Sequence, residues 1–192
     1  MIGLGLGVGR GGGPVSAPAI GTVDAVLFER DGNWTGSDIS SMHSHSSTTL
    51  SLGTADVGGI SNYVIMNVDS ATGTDAQMGI GASNSLFSSL PIDYYNTGSG
   101  SFKITVKVFI PSSNTSTGGV TRLRFGTVQG SRLSTSEDTW TVHTRTRPIS
   151  SLSSPASDND YFEVEFEDTT SNEPAQNDQM YVTQFKVEFI AD

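Results

Sequence analysis

The clearest pattern in the chain is an alternation of apolar and polar residues over positions 101–110. Successive side chains of a β-strand point to opposite faces of a sheet, so this alternation predicts a strand with one buried face. Pro111 and the Ser-, Asn- and Gly-rich segment 112–119 then end the strand. The residues predicted to face the core are Phe102, Ile104, Val106, Val108 and Ile110.

Residues 161–167 repeat the alternation, with Phe162, Val164 and Phe166 on the inward face. The opposite face, which we expect to be solvated, carries Glu163, Glu165 and Glu167. Helical periodicity is scarce, and the strands are separated by Gly-, Ser-, Asn- and Asp-rich loops. The sequence therefore predicts an all-β fold, a jelly-roll-type β-sandwich over residues 22–192. Further strands are predicted at 23–29, 63–68, 120–126, 139–146 and 181–190, with weaker candidates at 48–52 and 78–80.

The first twenty-one residues form a different kind of segment. Seven of the first thirteen are Gly, and small and apolar residues alternate there. Such a segment cannot form a core of its own, but an extended chain of this pattern presents apolar side chains on one side and lets a backbone approach closely on the other. We therefore expect residues 1–21 to be an extended anchoring arm that adds to a neighbour's sheet edge, simple disorder being the alternative. The predicted docking residues are Ile2, Leu4, Leu6, Val8 and Arg10.

Composition narrows the function classes. The net charge of −10 disfavours proteins that grip nucleic acid or an anionic membrane surface, because both tasks need clustered Lys and Arg. The chain has no Cys, which excludes disulfides and thiolate chemistry. It also lacks a G-x-S-x-G nucleophile motif and any convergent catalytic set. We expect no enzymatic activity, no cofactor and no secretion signal.

A few residues are candidates for contact with a partner or a glycan. Trp34, Tyr94 and Tyr95 could supply flat aromatic surfaces, although a core position is the alternative for the tryptophan. Arg145 and Arg147 share one strand face with His143, opposite Val142, and make a candidate partner-facing surface. Arg122 and Arg124 form a second basic stripe, opposite Leu123 and Phe125. Pairing of the arginines of the two stripes with Glu163 and Glu165 across strands is the alternative.

The only His cluster is the pair His43 and His45. On a strand both side chains share a face, and a threefold assembly could bring six imidazoles to one metal. A single chain supplies too few ligands for a structural zinc site. We therefore expect solvated histidines and no metal.

Segment order gives the first family resemblance. The stretch from Phe28 through Glu29 to Trp34, the strand at 101–110 and the Thr139–Trp140–Thr141 stretch resemble jelly-roll carbohydrate-binding modules over residues 22–190. The resemblance implies a glycan-binding sandwich. Many such modules place a calcium-binding Asp in the closing strand, where this chain has Thr183 and Gln184. A structural calcium would therefore be sought at Asp24 or Asp192.

The Gly-alternating start, followed by Pro and Ala, resembles tailed-phage virion proteins, as does the acidic, Cys-free composition. This resemblance implies a head decoration, head-fibre or auxiliary capsid protein, made in the host cytoplasm and located in the virion. Its partners would be other virion proteins and copies of itself, a trimer being one arrangement. The virion component is the main hypothesis. A tail-accessory protein or a carbohydrate-binding module for cell-surface glycans is the alternative.

Overall fold

The chain folds into two antiparallel β-sheets that pack face to face. This confirms the predicted all-β sandwich. The predicted docking residues of the arm lie outside the residues that the structure describes, as do His45, Tyr94 and Tyr95. The computed structural model describes residues 24–44, 47–69, 76–81, 99–116, 118–126, 128–152, 161–169 and 174–192.

The first sheet is built around its longest strand, β12, which pairs with three others. Its strand order is β10-β6-β12-β4-β3, and β1 adds to the C-terminal half of β12 on the same side as β4. The β10 and β3 strands are therefore edges of this sheet. Its strands are β1 (Ala25–Asp31), β3 (Thr48–Gly53), β4 (Tyr63–Val68), β6 (Ser101–Phe109), β10 (Thr141–Pro148) and β12 (Gln179–Ile190).

The second sheet has the order β2-β5-β11-β7-β8, and β9 also pairs with β7. Its strands are β2 (His43–Ser44), β5 (Ala76–Gly81), β7 (Gly119–Phe125), β8 (Val128–Gln129), β9 (Leu133–Thr135) and β11 (Tyr161–Glu167). None of the helices among the described residues is long and apolar enough to cross a membrane.

The core fills the space between the sheets with the apolar residues that the alternation predicted. Phe102 from the first sheet meets Phe162 from the second, with ring centroids 5.0 Å apart. Trp34 is also buried here: its ring lies 6.4 Å from that of Phe28, and its Nε1 donates to the Thr183 carbonyl oxygen at 2.9 Å. The indole is therefore a core element, the second of the two interpretations that the sequence allowed.

A short helix, α1 (Gly36–Ser41), follows β1 and was not predicted. Thr35 and Asp38 form a capping box, in which Thr35 Oγ1 accepts from the Asp38 amide and Asp38 Oδ2 accepts from the Thr35 amide. Arg30 on β1 holds the same carboxylate at 2.7 Å. Its hydrogen bond is the main reason that the pKa of Asp38 lies below its ordinary value.

The face of β10 that carries His143 points toward the core, and the face that carries Val142 points toward solvent. The sequence predicted the reverse, with the His143 face turned toward a partner. His143 is buried, whereas Val142 on the other face is 55% exposed. The imidazole finds a polar partner inside, because its Nε2 lies 2.8 Å from Thr135 Oγ1. That hydroxyl lies 2.9 Å from Thr121 Oγ1, so a short polar chain links the sheets at this edge. Arg145 and Arg147 share the inward-facing side but are only half-buried.

The buried imidazole should make the fold acid-sensitive. Burial, with a smaller contribution from Arg145, lowers the pKa of His143. The unfolded chain therefore binds a proton more readily than the folded one, and stability is lost as pH falls below about 6.5. We expect His143→Gln to remove this component from the pH dependence of the free energy of unfolding, measured by denaturant titration between pH 5 and 8. An unchanged pH profile in the variant would contradict the assignment.

Candidate binding face on the second sheet

The outer face of the second sheet, which points away from the core, is unusually polar and yet buried. The alternation in β11 places Glu163, Glu165 and Glu167 there, as predicted. The expectation that this face is ordinary and solvated is wrong, because the three residues are 4%, 0% and 1% exposed. Carboxylates are seldom buried without partners, so this face needs an explanation from its neighbours.

One residue from each of five adjacent strands lies in register across this face. Neighbouring strands are about 4.8 Å apart, so five strands span about 19 Å, enough for a short oligosaccharide. The row is continuous from β2 to β8, and we refer to it as the central row. Its members are His43, Gly79, Glu163, Arg124 and Gln129.

Gly79 makes the close approach within this row possible. A Cβ at this position would lie 2.5 Å from Glu163 Cγ and 2.7 Å from the Phe162 carbonyl oxygen. Because Gly79 has no Cβ, the Glu163 side chain occupies the space above β5. Glu163 Oε1 there lies 3.6 Å from His43 Nε2. The glycine therefore brings together a carboxyl and an imidazole that stand on strands two positions apart.

Glu165 is the hydrogen-bonding centre of the face. Its carboxylate accepts from Gln77 Nε2 at 3.1 Å, Arg124 Nη1 at 3.2 Å and Gln129 Nε2 at 2.8 Å. The same Arg124 nitrogen lies 3.5 Å from Glu163 Oε2. The carboxylate thus fixes an arginine and two amides in defined orientations.

Glu167 extends the network toward the neighbouring loop. Arg132 Nε donates to Glu167 Oε2 at 2.8 Å, and its Nη2 donates to the Asp168 carbonyl oxygen at 2.7 Å. Arg122 Nε lies 2.8 Å from the other carboxylate oxygen as an ion pair, but its N–H does not point along a hydrogen bond. The face therefore keeps some unused donor capacity close to its carboxylates.

Burial raises the pKa of Glu163 to about 7, and the positive charge of Arg124 opposes that rise. Near neutral pH this carboxyl is thus present in both its protonated and its ionised form. A protonated carboxyl donates one hydrogen bond and accepts others, whereas an ionised one only accepts. Glu163 can serve either role toward a hydroxyl-rich ligand.

The chemistry of this face suits recognition more than bond cleavage. The imidazole, guanidinium and amide groups at its rim reach solvent: the side chains of His43, Arg124 and Arg132 are 33%, 31% and 34% exposed. Glu165, whose side chain is 0% exposed beneath its donors, cannot approach a glycosidic carbon. Rigid planar groups held by buried partners are able to hydrogen-bond pairs of sugar hydroxyls.

The sequence-predicted site residues contribute little to this face. His43 belongs to the central row, whereas Trp34 lies in the core and Arg145 and Arg147 stand on the first sheet. Asp24 and Asp192 accept backbone N–H groups of Ala191 and Gly100, at 2.9 Å each. Sequence reasoning missed Gln77, Gly79, Gln129 and Arg132. For Arg124, Glu163 and Glu165 the sequence signal was the alternation in the Arg–Leu–Arg stretch at 122–124 and the Glu–Val–Glu stretch at 163–165.

Solved structures share this architecture. The xylan-binding domain CBM22-1 of Paenibacillus barcinonensis Xyn10C matches with a TM-score of 0.52 and 7% identity, over 89% of this chain and 98% of the other. The C-terminal family 22 module of Clostridium thermocellum Xyn10B, studied for ligand binding in its cleft, matches with a TM-score of 0.54 and 12% identity, over 86% and 93%. The chain has the β-sandwich fold of carbohydrate-binding modules.

A further xylan-binding domain of the same family matches with a TM-score of 0.52 and 11% identity, over 87% of this chain and 96% of the other. No protein-family model matches the sequence, and no curated protein matches it significantly. At these identities the likeness establishes the fold. It agrees with the carbohydrate-binding-module resemblance of the sequence and gives no support to the virion resemblance.

Proposed function

We propose that this chain is a non-catalytic carbohydrate-binding module, and that the outer face of the second sheet binds a polysaccharide chain. The observation that carries the proposal is the central row, in which polar side chains from four strands and Gly79 on the fifth lie in register across the sheet. The fold shared with xylan-binding domains supports the same ligand class. A neutral β-linked polysaccharide of the xylan type is the first ligand to test.

The proposed contacts are the exposed members of the row and its rim. Arg124, Gln129 and His43 would meet the sugar hydroxyls, and Glu163 would complete the set from below. Glu165 and Glu167 hold the arginines and amides in place. Binding depends on this preorganisation, because side chains that are already fixed lose little conformational freedom on meeting the ligand.

Removing the two ends of the central row should weaken binding without disturbing the fold. We expect Gln129→Ala and His43→Ala each to reduce the affinity for xylohexaose several-fold, as loss of one hydrogen bond of about 1 kcal/mol implies. Isothermal titration calorimetry measures the affinity. Gln184→Ala is the matched control, because this glutamine stands on β12 in the first sheet, in register with Asp31 and Lys107.

Equal weakening by Gln184→Ala would show that the second-sheet face is not the site. Absence of binding by the wild type to xylohexaose and to a panel of other neutral oligosaccharides would overturn the proposal itself.

The virion hypothesis stays a prediction from the sequence. It depends on residues 1–21, which the structure does not describe, and on composition. A carbohydrate-binding module displayed on a particle is compatible with both resemblances, because the fold alone does not determine where a module is used.

A further inference from the structure

Arg145 and Arg147 lie next to each other on the inward-facing side of β10, an edge strand of the first sheet. They are in register with Ile104 and Phe102 on β6. Because β10 has no neighbour on its other side among the described strands, both side chains stand at the open edge of the sandwich. Their aliphatic stems can pack at the core margin while the guanidinium groups reach water.

The two arginines are exceptional in being without a carboxylate partner. The other described arginines, Arg30, Arg122, Arg124 and Arg132, all lie within 3.5 Å of a carboxylate oxygen. Within the described part of the chain, neither Arg145 nor Arg147 makes an ion pair. Arg145 Nε is moreover buried without a hydrogen-bond partner. Folded proteins usually supply an acceptor for such a donor, so the missing acceptor is a reason to look for a ligand.

The arginine pair stands on the same edge of the sandwich as one end of the central row. His143, which precedes Arg145 on the same side of β10, lies 2.8 Å from Thr135 Oγ1 on β9 in the second sheet. The β9 strand pairs with β7 on the side away from β11, and so does β8, the strand that carries Gln129. A polysaccharide that crosses the central row toward Gln129 would therefore leave the second sheet at the edge of the sandwich on which these two arginines stand.

We propose that Arg145 and Arg147 bind the carboxylate of a uronic acid carried by the bound polysaccharide. The inference rests on the proposed function and adds the ligand's charge to it. A guanidinium group fits a carboxylate in a two-pronged arrangement. With a net charge of −10, the protein as a whole repels an acidic polymer, so a local unpaired basic pair selects where such a polymer docks. Side chains two residues apart on a strand are separated by about 7 Å, which allows both to reach one acidic sugar or its neighbour.

The test compares one polymer in two forms. A xylan bearing glucuronic acid groups is used as it is, and after chemical reduction of its carboxyl groups to neutral hydroxymethyl groups. Affinity gel electrophoresis and calorimetry at low salt compare the wild type with R145Q/R147Q, R145K/R147K and K107Q. Lys107 is a matched control, because it lies on β6 opposite Val142, on the exposed face of the same sheet, with no carboxylate partner among the described residues.

We expect the wild type to bind the acidic polymer about tenfold more tightly than the reduced one, as a charge-assisted hydrogen-bonded contact implies. R145Q/R147Q should lose this preference and still bind the reduced polymer as the wild type does. R145K/R147K should keep a smaller preference, because an ammonium group retains the charge but not the planar fork. K107Q should behave as the wild type.

Two results overturn the inference and leave the proposed function standing: a wild type that binds both polymers equally, or a preference that survives in R145Q/R147Q. Thermal unfolding of each variant establishes that a lost preference does not reflect a lost fold. Failure of the wild type to bind either polymer would overturn the inference, and the proposed function falls with it only if the panel of neutral oligosaccharides is not bound either.

Discussion

Replacing Glu165 with alanine is expected to destabilise the folded chain by about 3–5 kcal/mol, the usual effect of removing one partner from a buried ion pair. The carboxylate is entirely buried and accepts from Arg124, Gln77 and Gln129. Its removal leaves Gln77, which is 7% exposed, without an acceptor and the Arg124 guanidinium with the more distant Glu163 alone. Guanidinium chloride unfolding, followed by tryptophan fluorescence, measures the loss.

A double-mutant cycle with Arg124→Ala separates the pair from its surroundings. Because the two residues contact each other, we expect R124A/E165A to be less destabilised than the sum of the two single variants. Glu165→Gln should fall between the wild type and Glu165→Ala, since an amide oxygen still accepts from one donor. Additive effects in the cycle would show that the two residues do not act as a pair.

Glu163→Gln is expected to stabilise the protein at alkaline pH and to change little in acid. The folded carboxyl has a pKa raised to about 7, whereas the unfolded one titrates near 4.5. Between these values the folded state holds the extra proton, so raising the pH through this window favours unfolding. This difference in pKa corresponds to about 3 kcal/mol of the free energy of unfolding. The wild type loses that stability between pH 4.5 and pH 8, whereas the Glu163→Gln variant, which is neutral at this position, does not.

The measurement is the free energy of unfolding of the wild type and Glu163→Gln at pH 5 and at pH 8. His143 changes the free energy of unfolding in the opposite sense over part of this range. Burial lowers the pKa of its imidazole, so protonation in acid destabilises the folded chain. The comparison should therefore be repeated in a His143→Gln background. A stability difference between the two proteins that stays constant from pH 5 to pH 8 would contradict the assignment.

Local pattern was sufficient for most of the strands. The predicted segments 63–68 and 101–110 match β4 (Tyr63–Val68) and β6 (Ser101–Phe109) closely. In β6 one face is apolar and the other polar, whereas β4 is an almost continuous apolar run interrupted only by Asn67. The α1 helix escaped prediction although Thr35 and Asp38 stand at capping-box spacing. Its few residues give no helical periodicity, and it is stabilised by a contact with Arg30 on another element.

The candidate site was less accessible from the sequence. Alternation placed Glu163, Glu165 and Glu167 on one face but could not reveal that they are buried, because burial depends on which strands flank β11. The role of Gly79 is similar. A glycine within a predicted strand has no meaning until the register sets it opposite Glu163 and His43.

By itself the sequence determined the sandwich class, the faces of the central strands and the absence of cysteine chemistry, since these follow from side-chain period and composition. Only the tertiary structure decided which polar residues meet. Register and sheet order are set by contacts between residues far apart in the chain, such as Gln77 with Glu165 and His43 with Glu163. Register and sheet order also turned His143, Arg145 and Arg147 inward on β10. They brought the members of the central row, which are far apart in the sequence, together on the outer face of the second sheet.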